Sequence, residues 1–183
     1  MVRYIALLRG INISGKNKIS MQKLKEYFEE LSFHEVKTYL NSGNVIFSTP
    51  ETNISDITSS IESMIKKTFD LNIPVLVISQ KSLQNALQKE PSWWNSKNKD
   101  IYDNLIFILP PATFKDVYDN LGRPNDQYER IENVENFIFW SFDRKNYQKT
   151  YWWAKTASST ISTQLTIRTA NTVKKIINLK NRR

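Results

Sequence analysis

The chain has 183 residues, of which 40% are hydrophobic and 12% aromatic, enough to bury a sizeable core. It has no cysteine and one histidine, which excludes disulfides, thiol nucleophiles and cysteine-based zinc or iron–sulfur sites. No apolar run is long enough to span a membrane, and the N-terminus enters a strand-like run directly at residues 3–8. We therefore expect a cytoplasmic protein with no membrane contact.

The net charge of +8 is unevenly distributed along the chain. Residues 1–25 hold six basic and no acidic residues, residues 26–143 hold ten basic and eighteen acidic ones, and residues 144–183 hold ten basic and no acidic ones. A coding bias that enriches lysine does not explain the missing acids. If the fold brings the two ends together, they form an electropositive surface for an anionic partner. The alternative is a surface that serves only solubility.

The first half of the chain follows a β-α-β-β-α-β order. In chain order, the predicted elements are a strand at residues 3–8, a helix opened by Ser20, hairpin strands at 36–40 and 45–47, a helix over 54–65 and a strand at 75–78. The hairpin turn at residues 41–44 contains one glycine and two asparagines, residue types that tolerate a positive φ. This order is that of a ferredoxin-like unit.

The second half repeats that order after a connecting segment. Its predicted elements are a linking helix over 80–89, a polar linker at 91–103, a strand at 105–109, a helix after Thr113, hairpin strands at 128–131 and 137–142, a helix over 150–163, a strand at 165–168 and a terminal helix over 172–179. Thr113 followed by Asp116 is typical of a capping box, and Gly122 with Pro124 ends that helix.

The predicted fold is therefore α+β, with two ferredoxin-like (alpha-beta plait) subdomains, antiparallel sheets and extra helices. We expect the N-terminal subdomain at residues 1–80, the linking helix and linker at 81–103, and the C-terminal subdomain at 104–183. Several strands are apolar at consecutive positions, which predicts that both sheet faces are covered. The other subdomain, the extra helices or a second subunit could provide that cover.

Three segments have a distinctive sequence: YIALLRGINISGKNK at residues 4–18, TYLNSGNVIF at 38–47 and TIRTANTVKKI at 166–176. Together they resemble the bacterial domain-of-unknown-function family 1697. Ser14 and Gly15 stand where the family has two glycines, and Thr169 and Ala170 where it has Asn-Trp. The resemblance implies two ferredoxin-like subdomains and no established activity.

The loop after the first strand has the glycine and lysine spacing of a P-loop, from Gly10 to Lys16. A P-loop is nevertheless not expected, because Asn17 replaces the magnesium-binding Ser or Thr, the helix starts too late and an antiparallel hairpin follows. Two interpretations stay open: a loop that receives an anion between Arg9, Lys16 and Lys18, or a structural turn.

Topology places this loop beside the turn at residues 41–44, because both lie at one sheet edge in a βαββαβ unit. The resulting candidate ligand-binding residues are Arg9, Asn12, Lys16, Asn17, Lys18, Ser42 and Asn44. Arg168 and Asn171 are further candidates, because the terminal helix begins there and its free N–H groups favour an anion. Ordinary capping by Thr169 or Asn171 is the alternative.

Residues 144–155 interleave cations with aromatic residues, the composition that stacks bases and tracks a phosphate backbone, and this segment adds Lys155 as a candidate. Because three successive residues of a helix cannot share one face, at least one ring among Tyr151, Trp152 and Trp153 should be exposed. The third strand of the first subdomain lacks the aromatic platform of a conventional RNA-recognition domain. Trp93 and Trp94 are expected to be buried between the subdomains, and a contact with a partner or ligand is the alternative.

We therefore predict a binding module for an anionic small molecule or single-stranded nucleic acid, with no catalytic residue, no metal and no cofactor. His34 is read as a loop residue, because no second ligand or nucleophile lies beside it in the sequence. Two alternatives remain open. One is an enzyme acting on a phosphorylated metabolite, with an unidentified carboxylate as base, and the other is a structural or partner-binding dimer. The sequence does not fix the oligomeric state.

Overall fold

The computed structural model describes residues 1–179, which divide into two compact units. Unit 1 comprises Met1–Gln84 with the residues from Ile176 onward, and unit 2 comprises Asn85–Lys175. No helix in the described part of the chain has both the length and the apolar character needed to cross a membrane.

Unit 1 is a four-stranded antiparallel sheet covered by helices. Its elements are β1 (Val2–Leu8), α1 (Met21–Glu30), β2 (His34–Tyr39), β3 (Asn44–Thr49), α2 (Ile54–Phe69), β4 (Val75–Ser79) and α3 (Gln80–Leu87), of which α3 runs into unit 2. The strand order β2-β3-β1-β4 is that of a ferredoxin-like fold. Ser20 caps α1 by accepting a hydrogen bond from the Lys23 backbone, as the sequence predicts.

Unit 2 repeats this architecture. Its elements are β5 (Ile101–Ile108), α4 (Phe114–Leu121), β6 (Glu129–Val134), β7 (Phe137–Asp143), α5 (Trp152–Ser158), β8 (Leu165–Thr169) and α6 (Ala170–Ile177), of which α6 ends in unit 1. The order β6-β7-β5-β8 matches that of unit 1 position by position. Both parts of the Thr113–Asp116 capping box are formed. The predicted α+β fold with two ferredoxin-like subdomains is confirmed.

Both faces of the central strands are buried, as their consecutive apolar residues predict. In β1 every residue from Tyr4 to Leu8 is buried, and β3 is buried along its whole length. In β7 the same holds for residues 137–142. On one face of the unit 1 sheet, Phe28 of α1 packs edge-on to Phe47 of β3 with ring centroids 5.5 Å apart.

The predicted single helix over residues 150–163 is wrong. The structure has α5 between two short 3₁₀ helices, Tyr147–Lys149 and Thr160–Gln164. The segment that follows Ala154 is rich in serine and threonine, whose hydroxyls compete for backbone groups. The Ser158 hydroxyl donates to the Ala154 carbonyl at 2.8 Å, and Ser159 turns to an extended ψ of 161° that ends the helix.

The structure also differs from two smaller sequence predictions, for His34 and for Trp94. His34 is the first residue of β2 rather than a loop residue, and it is exposed. Trp94 is buried inside unit 2, where its ring meets Phe139 edge-on with centroids 4.9 Å apart and its indole N–H donates to the Asn104 carbonyl at 2.8 Å. The polar stretch around Trp94 therefore packs against the second sheet.

Candidate functional site

The loop between β1 and α1 is built around a tight turn. The backbone N–H of Lys16 donates to the Ile13 carbonyl at 2.9 Å, and that of Asn12 donates to the Asn17 carbonyl at 3.1 Å. The two central residues, Ser14 and Gly15, have φ values of 48° and 77°. Positive φ at both central positions is the type I′ geometry, so this part of the P-loop-like spacing forms a small hairpin.

Asn12 ties the loop together with its side chain. Its Nδ2 donates to the carbonyl of Ile19 at 3.0 Å and to that of Asn41 at 2.9 Å, and its Oδ1 accepts the Ile19 N–H at 2.9 Å. Asn17 similarly donates from Nδ2 to the Gly10 carbonyl at 2.9 Å. The loop and the β2–β3 turn are therefore neighbours, as the topology predicts, and both asparagine amides hold the loop's own shape.

The β2–β3 turn is fixed by close packing. Gly43 has a φ of +80°, and a Cβ there would lie 2.7 Å from the Cβ of Leu8 and 2.9 Å from Cδ1 of Ile11. Asn44 is fully buried, and its Nδ2 donates to the Tyr39 carbonyl at 2.8 Å and to the Ser42 hydroxyl at 3.1 Å. Gly43 and Asn44 thus have structural roles, while Ser42 is exposed at the surface.

The cations of this loop differ in environment. Lys16 and Lys18 are exposed, and neither forms an ion pair within residues 1–179. Arg9 is half-buried, and its backbone N–H donates to the Pro74 carbonyl at 3.0 Å. The two lysines are therefore the side chains of the loop that face solvent with their charge uncompensated.

Arg168 lies in β8 and is only 8% exposed. Its Nη1 donates to the Thr166 hydroxyl at 2.8 Å and to the Ile167 carbonyl at 2.9 Å. Burial lowers the pKa of this guanidinium to about 10. The next residue, Thr169, caps α6 by accepting the Thr172 N–H at 3.3 Å, which is the capping arrangement that the sequence left open.

Asn171 is exposed in the first turn of α6 and lines a cavity of about 210 Å³, which we call the α6 cavity. The charged side chains along its wall are Lys97, Lys99, Arg144 and Asp103. All of its lining residues belong to unit 2. Sequence reasoning missed the two lysines because it assigned their polar segment to a linker.

The aromatic wall of the α6 cavity is Tyr102. The guanidinium carbon of Arg144 lies 4.7 Å from the centre of that ring, and Arg144 Nε donates to the Ile101 carbonyl at 3.3 Å. The carboxylate of Asp103 accepts a short hydrogen bond from the Ser141 hydroxyl. The cavity therefore has three cations against one carboxylate, and that carboxylate is already engaged.

Lys155 lies elsewhere in unit 2. Its Nζ donates to the Leu121 carbonyl at 2.7 Å, so it satisfies a free carbonyl at the C-terminus of α4. Arg168 and Asn171 are in or beside the β8–α6 connection, whereas Lys155 belongs to α5 and serves α4. Lys155 lines none of the described cavities.

Sequence reasoning also missed a buried carboxylate, Glu129, which is 2% exposed. Its Oε1 accepts the backbone N–H groups of Asn125 at 2.9 Å, Tyr151 at 2.7 Å and Trp152 at 3.3 Å. Its Oε2 accepts the indole N–H of Trp140 at 3.1 Å. Four donors hold this carboxylate, which gives it a structural role at the N-terminus of α5. No sequence pattern separates it from the exposed acids nearby.

Within residues 1–179, no group of three or more His, Cys, Asp or Glu side chains is arranged to hold a metal ion. The two ferredoxin-like units define an α+β protein. The chain belongs to the family of proteins of unknown function called DUF1697, whose profile matches residues 1–139. The matched region ends before the motif at residues 166–176.

The fold is shared with a solved bacterial structure. The conserved bacterial protein SP0830 from Streptococcus pneumoniae superimposes with a TM-score of 0.85 and is 25% identical in sequence. The similarity covers 96% of this chain and 97% of that one, so it extends through both units. No curated protein sequence gives a significant match.

Proposed function

We propose that this protein binds a phosphate-bearing ligand, and that the α6 cavity is the binding site. The observation that carries the proposal is the grouping of Lys97, Lys99 and Arg144 around one space of about 210 Å³. Cations lining a concave surface focus the electrostatic field and raise the local concentration of an anion.

The charges of these three cations are available to a ligand. None of the three forms an ion pair with a carboxylate in the part of the chain that the structure describes. The acid that lines the cavity, Asp103, accepts a hydrogen bond from Ser141, and Asp100, which follows Lys99 in the sequence, pairs with Lys145 at 3.4 Å. A phosphate entering the cavity would therefore meet cations without having to displace a carboxylate.

The α6 cavity also supplies hydrogen-bond donors. Ala170 and Asn171 of the first helical turn line it, and the first N–H groups of a helix have no partner within the helix. The helix dipole adds partial positive charge at the same end. These features supplement the three cations and favour an anion over a neutral ligand.

Two larger hollows of unit 2 are weaker candidates. They measure about 420 and 380 Å³ and share Trp93, Asp126, Glu129 and Arg130. Asp143 lines the second one as well. Acids and cations are mixed along these walls, so neither hollow has the excess of positive charge found in the α6 cavity.

The loop of unit 1 is the second candidate for the same ligand class. Lys16 and Lys18 are exposed and uncompensated, and Asn12 holds their loop against the turn that presents Ser42. A loop ordered before binding loses less conformational entropy when a ligand arrives. Arg9 at the start of this loop adds a third cation.

The test is a titration of ¹⁵N-labelled protein with inorganic pyrophosphate at low salt, followed by amide chemical shifts. We expect saturable shifts at Lys97, Lys99 and Asn171. The double variant Lys97→Ala/Lys99→Ala should bind about tenfold more weakly, because two exposed ion pairs contribute roughly 1–2 kcal/mol together.

The matched control removes two exposed lysines of unit 1 that form no ion pair within residues 1–179, in the variant Lys67→Ala/Lys81→Ala. It should leave the affinity within about twofold. Saturable shifts confined to Lys16, Lys18 and Ser42 would move the site to the unit 1 loop. No saturable shift anywhere would refute anion binding.

A further inference from the structure

We infer that the phosphate-bearing ligand is a single-stranded nucleic acid. Its bases stack on the exposed ring of Trp153 and on the half-buried rings of Tyr102 and Tyr147, in a row of aromatic side chains that continues from the α6 cavity. This inference rests on the proposed function and adds the ligand class. The row consists of Tyr102, Phe142, Trp153 and Tyr147, and we call it the aromatic row. Tyr102 belongs both to the row and to the cavity wall.

The aromatic row is continuous. Ring centroids are 5.3 Å apart between Tyr102 and Phe142, 5.3 Å between Phe142 and Trp153, and 5.2 Å between Trp153 and Tyr147. All three contacts are edge-to-face, so each ring is held by its neighbour. Trp153 is 42% exposed, whereas the adjacent Trp152 is fully buried. An exposed indole supported on two sides is suited to stack with a base.

Cations flank the aromatic row. Arg144 lies over Tyr102, and Lys149 belongs to the same short 3₁₀ helix as Tyr147, with its Nζ 5.1 Å from the ring centre of Tyr128 outside the row. Both cations are exposed, and neither forms an ion pair within residues 1–179. No acidic residue occurs from residue 144 to the end of the chain. This combination of rings and cations fits the stacked bases and charged backbone of a single strand.

Asp143, which follows Phe142 in the sequence, is engaged by the turn that it begins. Asp143 accepts the backbone N–H groups of Lys145 at 2.8 Å and Asn146 at 3.1 Å, and the Asn146 amide at 3.1 Å. These hydrogen bonds, chiefly that from the Asn146 amide, lower the pKa of the Asp143 carboxyl. Asp143 thus closes the turn into the cationic segment.

The arrangement favours a single strand over a duplex, because a base must be unstacked from its own helix before it can stack on Trp153. It also differs from the usual RNA-binding use of this fold, in which aromatic residues on the central strands hold the bases. Here β7 is buried from Phe137 to Phe142, so Phe142 only connects Tyr102 to Trp153, and the exposed ring of Trp153 lies beyond the sheet, in α5.

The experiment measures fluorescence anisotropy of end-labelled 20-nucleotide oligo(dT), oligo(U) and a duplex of mixed sequence, each at 50 and 200 mM NaCl. We expect both single strands to bind more tightly than the duplex. With four phosphate contacts, at Lys97, Lys99, Arg144 and Lys149, the affinity should fall about 50-fold between the two salt concentrations.

Three variants isolate the aromatic row. Trp153→Ala should weaken binding by at least about tenfold, and Trp153→Phe should restore it to within about threefold, since base stacking needs a ring. Lys149→Ala should lower the salt slope by about 0.7, whereas the control Lys81→Ala should leave both affinity and slope unchanged. Circular dichroism of each variant verifies the fold.

The outcomes separate this inference from the proposed function. If pyrophosphate binds in the α6 cavity but neither oligonucleotide binds at 50 mM NaCl, the inference is overturned and the proposed function stands. Equal affinity for duplex and single strand, or Trp153→Ala binding like the unmodified protein, also overturns it. If neither pyrophosphate nor oligonucleotide binds, both proposals fail.

Discussion

Replacing Glu129 with glutamine should destabilise unit 2 by about 2–4 kcal/mol. Glutamine keeps the shape of the side chain and removes its charge. The glutamine carbonyl can still accept hydrogen bonds from the three backbone N–H groups that Oε1 now binds. Its NH₂ group then faces the indole N–H of Trp140, and because both groups are donors, that hydrogen bond is lost.

The magnitude follows from these four contacts. A hydrogen bond to a charged group contributes about 1 kcal/mol more than a neutral one, and a buried donor left without an acceptor costs about 1–3 kcal/mol. Because Glu129 is 2% exposed, solvent cannot replace the lost Trp140 contact without a local opening of the structure. Part of this loss of stability is offset, because burying a neutral amide costs less free energy than burying a carboxylate.

The assay is urea unfolding followed by tryptophan fluorescence. All five tryptophans lie in unit 2, so their emission reports that unit alone. With an m-value of about 2 kcal/mol/M, the expected loss lowers the unfolding midpoint by about 1–2 M urea.

Glu132 provides the control, because it is an exposed glutamate of the same strand. Glu132→Gln should change the free energy of unfolding by less than about 0.5 kcal/mol. If Glu129→Gln has an effect as small as that of the control, the charge and the four hydrogen bonds of Glu129 do not stabilise unit 2.

Three further predictions concern local structure. Gly43→Ala should destabilise unit 1 by at least about 2 kcal/mol in calorimetry, because both steric overlap and a positive φ oppose a Cβ at this position. Gly15 has a positive φ but open space around it, so Gly15→Ala should lower the free energy of unfolding by only about 1 kcal/mol. Asn12→Ala should cost about 2 kcal/mol and increase amide exchange in both loops that its side chain joins; unchanged exchange would contradict its tying role. Hydrogen bonds from Thr113 lower the pKa of the Asp116 carboxyl below its ordinary 3.8. The contribution of these hydrogen bonds to stability should therefore be complete above pH 3.8 and should disappear as the pH falls through the lowered pKa. In Thr113→Ala the acid-dependent change in melting temperature should be smaller, because only the backbone N–H of residue 113 still donates to Asp116.

The fold could be predicted from the sequence because each element has a local signal. The spacing of apolar residues identified the helices, and consecutive apolar runs identified the buried strands. The capping box at Thr113 fixed the start of α4 to the residue. The failure at residues 150–163 has a physical reason: apolar spacing alone ignores the competition of serine and threonine hydroxyls for the backbone, which ends α5 at Ser158.

The candidate site could be predicted only in part. The predicted topology correctly places the loop of unit 1 beside the β2–β3 turn. The sequence does not show that the side-chain amides of Asn12, Asn17 and Asn44 donate hydrogen bonds to backbone carbonyls. The lysines of the α6 cavity are brought to α6 by long-range packing of a segment without regular structure. Such packing leaves no periodic signal in the sequence.

The two units connect their first strand to their first helix with loops of very different length. Unit 2 makes this connection with residues 109–113, whereas unit 1 uses residues 9–20. The short version shows that the architecture itself does not need the longer one, and closing a loop costs only about 0.6 kcal/mol more for each doubling of its length. The longer loop therefore adds little closure cost, and it presents Lys16 and Lys18 to solvent while the register of β1 with its neighbours is set by the strands behind it.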